Sequence, residues 1–412
     1  MKNKLNKKSL RIITFIFCEE NYGQVLQAYA LQHYLRDNYA HQYDIKVIYG
    51  VPVTFSKRRY LLHRIVGNTV YHLWQNGKYA LRAYRKKLLG KKTRKTDRAF
   101  AIKQRDFNTF KRKHIALDQD FLRHYSLCTK NCYSELEADV YITGSDQLWN
   151  EWNTVPQETL QGYEYSWLPY YTLEFAKSSA VKISYAASIG RREFKSSAQV
   201  AYFKKALQGF RAISLREQAG VEMLLSIGVE SVCVPDPTML LTREQWESLV
   251  GSSKLNLPEN LKESIFIYGY GDDEFGGYEL PLLLRPYGNI VAVTLTYHPT
   301  AKYNPTLEEW IVCIRDAKLV VCRSFHGACF AIMMNTPFFL CRVPSIETEK
   351  LDARFENLMR IFGLEDRIVN DLKDLEQKIQ ENPSIDWGTI NIKLKEWRKV
   401  GEDFLTQALR EI

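Results

Sequence analysis

The sequence predicts an α/β fold of two Rossmann-like domains that face each other across a cleft, with a basic helical insertion and a C-terminal helix. Three observations support this prediction. Strand-like runs alternate with helical runs, a pattern typical of parallel sheets. Two such alternating series follow one another along the chain. The chain also has 412 residues, more than a single hydrophobic core usually holds.

The first series begins close to the N-terminus. The run LRIITFIF predicts a strand, because it is short and β-rich and lacks the small-residue cleavage site of a signal peptide. After an Asn-Tyr-Gly turn, apolar residues from Val25 to Tyr34 recur at helical spacing. The run YDIKVIYG predicts a second strand. These three elements form a βαβ unit, which implies a parallel sheet.

The same alternation continues through the rest of the chain. Strands are predicted in ADVYITGSDQLWN, VKISYAASIGRREF, AISL and SVCVPDPTMLL. A new series begins near ESIFIYGYGDDE and runs through NIVAVTLTYH, the helix TLEEWIVCIRDA and the strand KLVVC. The run from 386 to 412 predicts a long amphipathic helix. We place the domain boundary within 195–240 and predict domains at 1–205 and 206–412.

Positive charge is concentrated in one segment. Residues 57–113 contain 19 Lys and Arg but two acids, a balance of +17, so the remainder of this +10 chain sums to −7. Apolar residues at helical intervals predict a basic helical insertion over about 55–115. Two interpretations stay open: a solvated insertion packed on the first domain, or peripheral docking on an anionic membrane surface that carries a lipid-linked substrate. Nucleic acid is a weaker candidate partner, since no recognised nucleic-acid motif accompanies the charge.

The composition favours a cytoplasmic protein. If the basic segment docks on a membrane, the protein is expected to be peripheral at the inner face of that membrane. No run of about 18 uncharged apolar residues is present, which argues against a spanning helix. Several of the eight cysteines lie inside apolar runs, as buried reduced thiols do. Cys128 and Cys132 form a C-x3-C pair without a second pair nearby, so no metal site is predicted.

A polar turn follows the strand KLVVC at the start of a helical run. It contains Arg323, Ser324, Phe325, His326 and Gly327. Helix N–H groups and the helix dipole attract anions at such a junction in open α/β sheets. His326 can donate and accept protons near neutral pH, which favours a catalytic or ligand-binding role. The alternative is a turn histidine satisfied by backbone groups.

A second candidate is Arg216, which follows the strand AISL. An arginine fork matches a phosphate or carboxylate bidentately, which favours anion binding in the cleft. The alternative is an ion pair with Glu217 at the start of a helix. Familiar catalytic motifs are absent from the sequence: there is no P-loop, G-x-S-x-G or H-E-x-x-H. The acidic pair Asp272 and Asp273 is interpreted as a solvated turn.

Two further polar turns are candidates for binding an acceptor or lining the cleft. Their small residues permit close backbone approach, and their Asp, Asn and Gln side chains suit sugar hydroxyls or the anchoring of another loop. Local side-chain turns of the Asx type remain the alternative. The candidates are Asn21, Tyr22, Gly23, Gln24, Gly144, Ser145, Asp146 and Gln147.

Taken together, six segments resemble the polysaccharide pyruvyl transferase family. They cover most of the chain except the basic insertion and the C-terminal helix. In chain order they are NYGQVLQAYALQHYL, DVYITGSDQLWN, ISYAASIG, AISLREQAG, VCVPDPTMLL and VVCRSFHGACFAIMMNTPFF. Any one segment is a weak signal, whereas their ordered combination is specific.

The resemblance implies a GT-B-like fold and transfer of a pyruvyl group from phosphoenolpyruvate to two hydroxyls of a sugar, forming a cyclic ketal. It maps a family histidine onto His326 and a family arginine onto Arg216. Phosphoenolpyruvate would be a co-substrate, with no redox cofactor and no required metal. The acceptor would be a sugar of a capsule or exopolysaccharide, lipid-linked in one version. The implied donor-binding residues are Arg216, Arg323, Ser324, Phe325 and Gly327.

One departure keeps an alternative open. Some family members have Arg-Leu-His where this chain has Ser324, Phe325 and His326. Arg323 is adjacent but points elsewhere if the backbone is extended. The alternative function is a GT-B-like glycosyltransferase for surface glycans, with a nucleotide-activated sugar bound at Arg216 and the His326 turn. A third hypothesis is a non-catalytic glycan-binding or partner-binding protein descended from such enzymes.

Overall fold

The computed structural model describes residues 7–16, 18–49, 103–118, 137–150, 168–251, 253–270, 279–294, 303–342, 353–381 and 383–412. Within these ranges the chain forms two parallel sheets with helices packed on them, so the predicted pair of Rossmann-like units is confirmed. Most of the basic insertion and of segment 57–113 lies outside the described residues. Cys128, Cys132, Asp272 and Asp273 also lie outside them.

The first sheet has seven parallel strands in the order β3-β2-β1-β4-β5-β6-β7. Its strand order reverses direction between β1 and β4, and open α/β sheets bind ligands at such a switch point, outside the carboxyl ends of the strands. The strands are β1 (Lys8–Ile13), β2 (Tyr43–Ile48), β3 (Leu117–Asp118), β4 (Val140–Thr143), β5 (Val181–Ala187), β6 (Phe210–Leu215) and β7 (Val232–Cys233).

The second sheet has five parallel strands in the order β12-β11-β10-β8-β9. Its switch point therefore lies between β8 and β10, and the His326 turn follows β10 directly. The strands are β8 (Ser264–Tyr270), β9 (Asn289–Thr294), β10 (Leu319–Cys322), β11 (Phe338–Cys341) and β12 (Ile368–Val369).

The helices of the first unit and its connections are α1 (Tyr22–Tyr39), α2 (Phe107–His114), α3 (Leu168–Tyr171), α4 (Ser197–Ala206), α5 (Gln218–Ser226) and α6 (Arg243–Gly251). The later helices are α7 (Glu279–Leu284), α8 (Leu307–Asp316), α9 (Phe325–Met334), α10 (Ala353–Phe362), α11 (Leu372–Glu381) and α12 (Trp387–Ala408). None of the helices in the described ranges is both long enough and apolar enough to cross a membrane.

Helix caps explain where the two helices beside the switch points begin. The Asn21 side chain accepts a hydrogen bond from the Gln24 N–H at the start of α1. The Ser324 hydroxyl accepts one from the Gly327 N–H at the start of α9. Both caps satisfy backbone donors that a helix N-terminus leaves without intrahelical partners. Two of the polar turns named from the sequence, those that contain Asn21 and Ser324, therefore serve as helix starts.

Aromatic packing joins the two units. Tyr22 of α1 stacks on Trp310 of α8 with ring centroids 5.4 Å apart and meets Tyr268 of β8 edge to face at 5.8 Å. Its hydroxyl donates to the Pro305 carbonyl oxygen at 2.6 Å. Desolvation raises the pKa of Tyr22 well above its ordinary value, so the phenol stays neutral. The start of α1 therefore packs against the second unit through buried aromatic rings and one hydrogen bond.

The change of sheet does not coincide with the predicted boundary at 205/206. Strands β6 and β7 follow residue 205 but belong to the first sheet, where Ser214 pairs with Val232. Sheet membership changes between Cys233 and Ser264. The predicted C-terminal helix is confirmed as α12. A Cβ at Gly401 in α12 would lie 2.5 Å from the Tyr185 hydroxyl, so this helix packs back against the first sheet.

Candidate functional site

Four ionisable side chains meet where strands of both sheets end. Asp146, Arg216 and Asp236 follow β4, β6 and β7 of the first sheet, and His326 follows β10 of the second. All four side chains are almost fully buried. Because the carboxyl ends of parallel strands share one edge of a sheet, the topology brings these distant residues together. We call these four residues the charged cluster.

Arg216 occupies the centre of the charged cluster. One terminal nitrogen donates to Asp236 Oδ2 at 2.8 Å, and the other donates to Asp146 Oδ1 at 3.2 Å. The guanidinium carbon lies 4.3 Å from the ring centroid of Phe325, and the side chain is 1% exposed. Burial opposes the charge, but the two carboxylates outweigh it and raise the pKa of Arg216 above its ordinary value. Both arms of the fork therefore bind protein carboxylates.

Asp236 contacts more of the site than any other residue named above. Its Oδ1 accepts hydrogen bonds from the Thr238 N–H at 3.0 Å and from the Thr238 hydroxyl at 2.8 Å. Its Oδ2 accepts from Arg216 and, at 3.1 Å, from the Ser145 hydroxyl. Burial disfavours ionisation, but His326, Arg216 and the Thr238 N–H hold the pKa of Asp236 well below its usual range. The carboxylate therefore stays ionised.

His326 faces this carboxylate across the domain interface. Its Nε2 lies 3.4 Å from Asp236 Oδ2, a distance that makes an ion pair when the imidazole is protonated. The imidazole also packs directly on the backbone of α1: a Cβ built on Gly23 would lie 2.1 Å from His326 Nδ1. Only glycine fits this approach. The N-terminal ends of α1 and α9 consequently meet at the imidazole.

The loop after β4 supplies Ser145 and Asp146. The Ser145 hydroxyl also lies 3.0 Å from the Ala186 carbonyl oxygen, and the Ser145 N–H donates to Gln27 Oε1 of α1. Asp146 Oδ1 accepts from the Gln147 N–H at 2.9 Å, as in a local turn, in addition to its contact with Arg216. Burial would raise the pKa of Asp146, but Arg216 and, after it, His326 lower that pKa.

Glu217 does not serve as the ion-pair partner of Arg216 in the described geometry. Its Oε1 accepts from the Ser188 hydroxyl at 3.0 Å, the Ile189 N–H at 2.8 Å and the Gly190 N–H at 2.9 Å. Three donors on one carboxylate oxygen fix the loop after β5. The neighbouring residues Arg216 and Glu217 therefore have separate partners. Arg216 binds the carboxylates of the charged cluster, and Glu217 binds the loop after β5.

The remaining candidates from the sequence have structural contacts of their own. Gly144 lies tight against the first sheet, since a Cβ there would be 1.9 Å from the Tyr185 carbonyl oxygen. One Arg323 terminal nitrogen donates to the Gly269 carbonyl oxygen at 3.4 Å. The candidates that touch the charged cluster or belong to it are Gly23, Ser145, Asp146, Gln147, Arg216, Phe325 and His326. Asn21, Gln24, Ser324 and Gly327 form the helix caps described above.

Sequence reasoning missed two parts of the site. Asp236 lies in the predicted strand segment SVCVPDPTMLL, but its role as the common partner of Arg216 and His326 depends on contacts between distant segments. The end of the basic segment was also missed. Arg105, 1% exposed, donates to the Glu20 carbonyl oxygen at 2.9 Å and to the Thr294 carbonyl oxygen at 3.0 Å. It therefore fixes the loop before α1 against the second unit.

Lys111 of α2 also holds this loop and gives a pH-dependent prediction. Its Nζ donates to the Cys18 carbonyl oxygen at 2.8 Å, and burial lowers the pKa of Lys111 to about 8. Between about pH 8 and 10.5 the unfolded chain therefore binds more protons at this position than the folded chain. The contribution of Lys111 to the free energy of unfolding thus rises with pH over this window, by roughly 3 kcal/mol.

The measurement compares wild type with Lys111→Met by urea unfolding in reducing buffer across this window. We expect the difference in unfolding free energy, wild type minus variant, to increase as pH rises from 8 to 10.5. The use of a difference cancels the titration of the buried tyrosines and cysteines, which both proteins share. A difference that stays constant over the window would contradict the lowered pKa of Lys111.

The described ranges contain no group of three or more His, Cys, Asp or Glu side chains that could hold a metal ion. The absence of a required metal stays a prediction, since other parts of the chain are not covered by this observation. The charged cluster has the parts of a proton-transfer site instead. A histidine faces an ionised carboxylate, a buried arginine balances that carboxylate, and two helix N-termini are directed at the same place.

Comparison with known proteins gives one family match. A family model described as polysaccharide pyruvyl transferase matches residues 21–344. This span includes all four residues of the charged cluster and both helix starts. A comparison with curated proteins finds no match.

Solved structures match the chain over most of its length at low sequence identity. They include the glycosyltransferase of kitacinnamycin (8% identity, 97% of this chain and 96% of that chain, TM-score 0.46). The wall teichoic acid polymerase TagF has 11% identity over 97% of this chain and 89% of that chain, with a TM-score of 0.42. UDP-GlcNAc 2-epimerase from Neisseria meningitidis has 10% identity over 97% of this chain and 100% of that chain, with a TM-score of 0.43. All three scores lie below 0.5, so the fold class rests on the two parallel sheets and not on these similarities.

Proposed function

Because the chain belongs to the polysaccharide pyruvyl transferase family, we propose that it transfers a pyruvyl group from phosphoenolpyruvate to two hydroxyls of a sugar in a surface glycan. The product is a cyclic ketal, and phosphate is released. One observation carries this proposal. The matched span of 21–344 contains the whole charged cluster, with a histidine set against an ionised carboxylate at the meeting point of two helix N-termini.

The chemistry requires a proton carrier. Protonation of the methylene carbon of phosphoenolpyruvate makes C2 cationic, and one sugar hydroxyl adds there. Phosphate then leaves, and the second hydroxyl closes the ring. The methylene carbon gains one proton, the two hydroxyls lose two, and the departing phosphate carries the other. Each step moves a proton near neutral pH, a task for which imidazole is well suited.

His326 is the proposed proton carrier. Its Nε2 lies 3.4 Å from the Asp236 carboxylate, a distance that makes an ion pair whenever the imidazole is protonated. Arg216 and Thr238 keep that carboxylate ionised and in place. After protonating the donor, neutral His326 can accept the proton of the attacking hydroxyl. Asp236 is accordingly a positioning residue that acts through His326.

The donor carries a phosphate and a carboxylate, which need positive partners. With neutral His326 the cluster carries one net negative charge, because Asp146 and Asp236 outnumber Arg216. Protonation of His326 removes this net charge. The N-termini of α1 and α9 add partial positive charge at the same place. We infer that phosphoenolpyruvate binds together with a proton. Direct donor contacts by Arg216, Arg323, Ser324, Phe325 and Gly327 remain part of the proposal.

Calorimetric titration tests this step. We expect phosphoenolpyruvate to bind wild type with uptake of about one proton, measured from the heat in buffers of different ionisation enthalpy. His326→Gln should lose this proton uptake and bind at least tenfold more weakly, since a charge-assisted contact is worth about 1.5–3 kcal/mol. Glu247→Gln is the control, because Glu247 pairs with Arg243 on α6 and belongs to no part of the cluster.

The same titration separates the two enzyme hypotheses. A panel of nucleotide sugars is titrated into wild type alongside phosphoenolpyruvate. Binding of a nucleotide sugar without any binding of phosphoenolpyruvate would overturn pyruvyl transfer and select glycosyl transfer. The membrane part of the proposal is that residues 57–113 hold the enzyme at the inner membrane face beside a lipid-linked acceptor. It rests on the +17 balance of that segment and fails if the protein does not sediment with phosphatidylglycerol vesicles at low salt.

A further inference from the structure

A cavity of about 510 Å³ opens beside the charged cluster. Its lining comes from both units: from the loop after β5, from α5, from the end of β11 and from α10 and α11. The volume falls within the range of sites that bind small molecules. Its polar lining residues include Arg192, Gln218, Arg342, Glu356, Asn357 and Asn370.

The cavity borders the charged cluster through two short connections. Gln218 lies two residues after Arg216, at the start of α5. The Asn357 side-chain amide donates to the Arg216 carbonyl oxygen at 3.3 Å. Two residues earlier, the Phe355 ring lies 6.2 Å from the Phe325 ring, which itself packs on Arg216. The first turns of α10 therefore form a wall shared by the cavity and the cluster.

A charged bridge crosses the cavity from one unit to the other. Glu356 of α10 pairs with Arg192, which follows β5, and with Arg342, which follows β11. The Arg342 contact measures 3.1 Å, and the three side chains are 39% to 49% exposed. Pairs this exposed contribute little to stability, so stability alone does not account for three charged groups directed at one cavity.

The balance of charge around the cavity indicates the class of ligand. Four cations line it, from Arg192, Arg342, Arg360 and Lys378. Three acids oppose them, from Glu222, Glu356 and Glu365. A phosphate site would require a clear excess of cations, whereas sugar hydroxyls require donors and acceptors together. The amides of Gln218, Asn357 and Asn370 supply both.

We propose that this cavity is the acceptor subsite, in which the hydroxyls of a neutral sugar bind the Glu356 bridge and the neighbouring amides. The proposal rests on the proposed function, because it names where the acceptor of that reaction lies. A carboxylate can accept about four hydrogen bonds, so Glu356 can bind a sugar hydroxyl while it pairs with both arginines. A sugar bound at Glu356 would therefore lie next to residues of both units, Arg192 of the first and Arg342 of the second.

Saturation-transfer NMR with simple glycosides tests the subsite, because it detects weak ligands. The probes are the methyl glycosides of galactose, glucose, mannose and N-acetylglucosamine. We expect at least one to bind wild type and to bind Glu356→Gln about tenfold more weakly, through loss of a charge-assisted hydrogen bond. The matched control is Glu247→Gln, which breaks a different Arg–Glu pair of similar exposure, 36% at Glu247, on α6. This control should bind like wild type.

Three outcomes would overturn the subsite: none of the four glycosides binds, the affinity in Glu356→Gln equals that of wild type, or the control loses affinity to the same degree. Phosphoenolpyruvate titrations of the same proteins separate this proposal from the proposed function. If a glycoside binds in a way that depends on Glu356 but phosphoenolpyruvate does not bind, the proposed pyruvyl transfer is contradicted and the sugar subsite is supported. Phosphoenolpyruvate binding that is unchanged in Glu356→Gln, with glycoside binding lost, is the expected pattern.

Discussion

Asp236→Asn is expected to lower the free energy of unfolding by about 3 kcal/mol at neutral pH, measured by urea unfolding. The substitution removes the charge that holds Arg216, whose side chain is 1% exposed, and leaves that cation with Asp146 as its carboxylate contact in the cluster. Breaking a buried ion pair from one side is costly because the remaining charge cannot reach water. His326 also loses the carboxylate that its Nε2 faces at 3.4 Å.

The control and the pH dependence make this prediction specific. Glu247→Gln breaks an ion pair that is exposed by more than a third on both sides and should cost less than about 1 kcal/mol. The pKa of Asp236 is lowered in the folded state, so its stabilising effect is present above the ordinary pKa and is lost as pH falls. The difference between wild type and Asp236→Asn should therefore narrow below about pH 4. A cost at neutral pH no larger than that of the control would contradict the account.

Gly23→Ala is expected to separate α1 from His326 and to destabilise the protein by about 2 kcal/mol. The added Cβ would lie 2.1 Å from His326 Nδ1 and 2.6 Å from its Cβ, so the clash reaches atoms close to the α9 backbone. Alanine is otherwise favoured over glycine in a helix by up to about 1 kcal/mol. A loss of stability would therefore report the contact between the units. Phosphoenolpyruvate affinity should fall with it.

Gly251→Ala provides the control for this substitution. Gly251 is the last residue of α6, and a Cβ there would meet no atom within 4 Å. We expect this variant to be as stable as wild type or slightly more stable, with unchanged phosphoenolpyruvate binding. If Gly23→Ala were equally harmless, the close approach of α1 to the imidazole would be wrong.

Part of the fold was predictable because its elements have strong periodicity or clear ends. The helix after the Asn-Tyr-Gly turn, the strand KLVVC and the C-terminal helix were all predicted and are confirmed as α1, β10 and α12. The two-residue strands β3 and β12 gave no such signal, since alternation cannot be recognised over two residues, whereas β7 lies inside the predicted strand segment SVCVPDPTMLL. The domain boundary at 205/206 stays a prediction. Sheet membership changes later in the chain, between Cys233 and Ser264, because β6 and β7 continue the first sheet by hydrogen bonding to earlier strands.

The candidate site was predictable as a set of strand ends, and its internal pairing was not. The rule that ligands bind at the carboxyl ends of strands selected the turns that contain Arg216 and His326. The choice of partner depends on geometry between distant segments: Arg216 binds Asp236, 20 residues away, and Asp146, 70 residues away. The same holds for Gly23, whose requirement for glycine arises from a residue in the other unit. Neither set of contacts can be predicted from the spacing of residues in the sequence.

The central claim is that this chain forms a pyruvyl ketal by protonating the methylene carbon of phosphoenolpyruvate. The most direct measurement incubates the protein with phosphoenolpyruvate and the glycoside that binds best, in deuterium oxide, and examines the product by NMR. The account predicts release of inorganic phosphate and a ketal methyl group that carries one deuterium, with both lost in His326→Gln. The contradicting result is the absence of phosphate release and ketal in wild type while a nucleotide sugar donates its glycosyl group to the same glycoside.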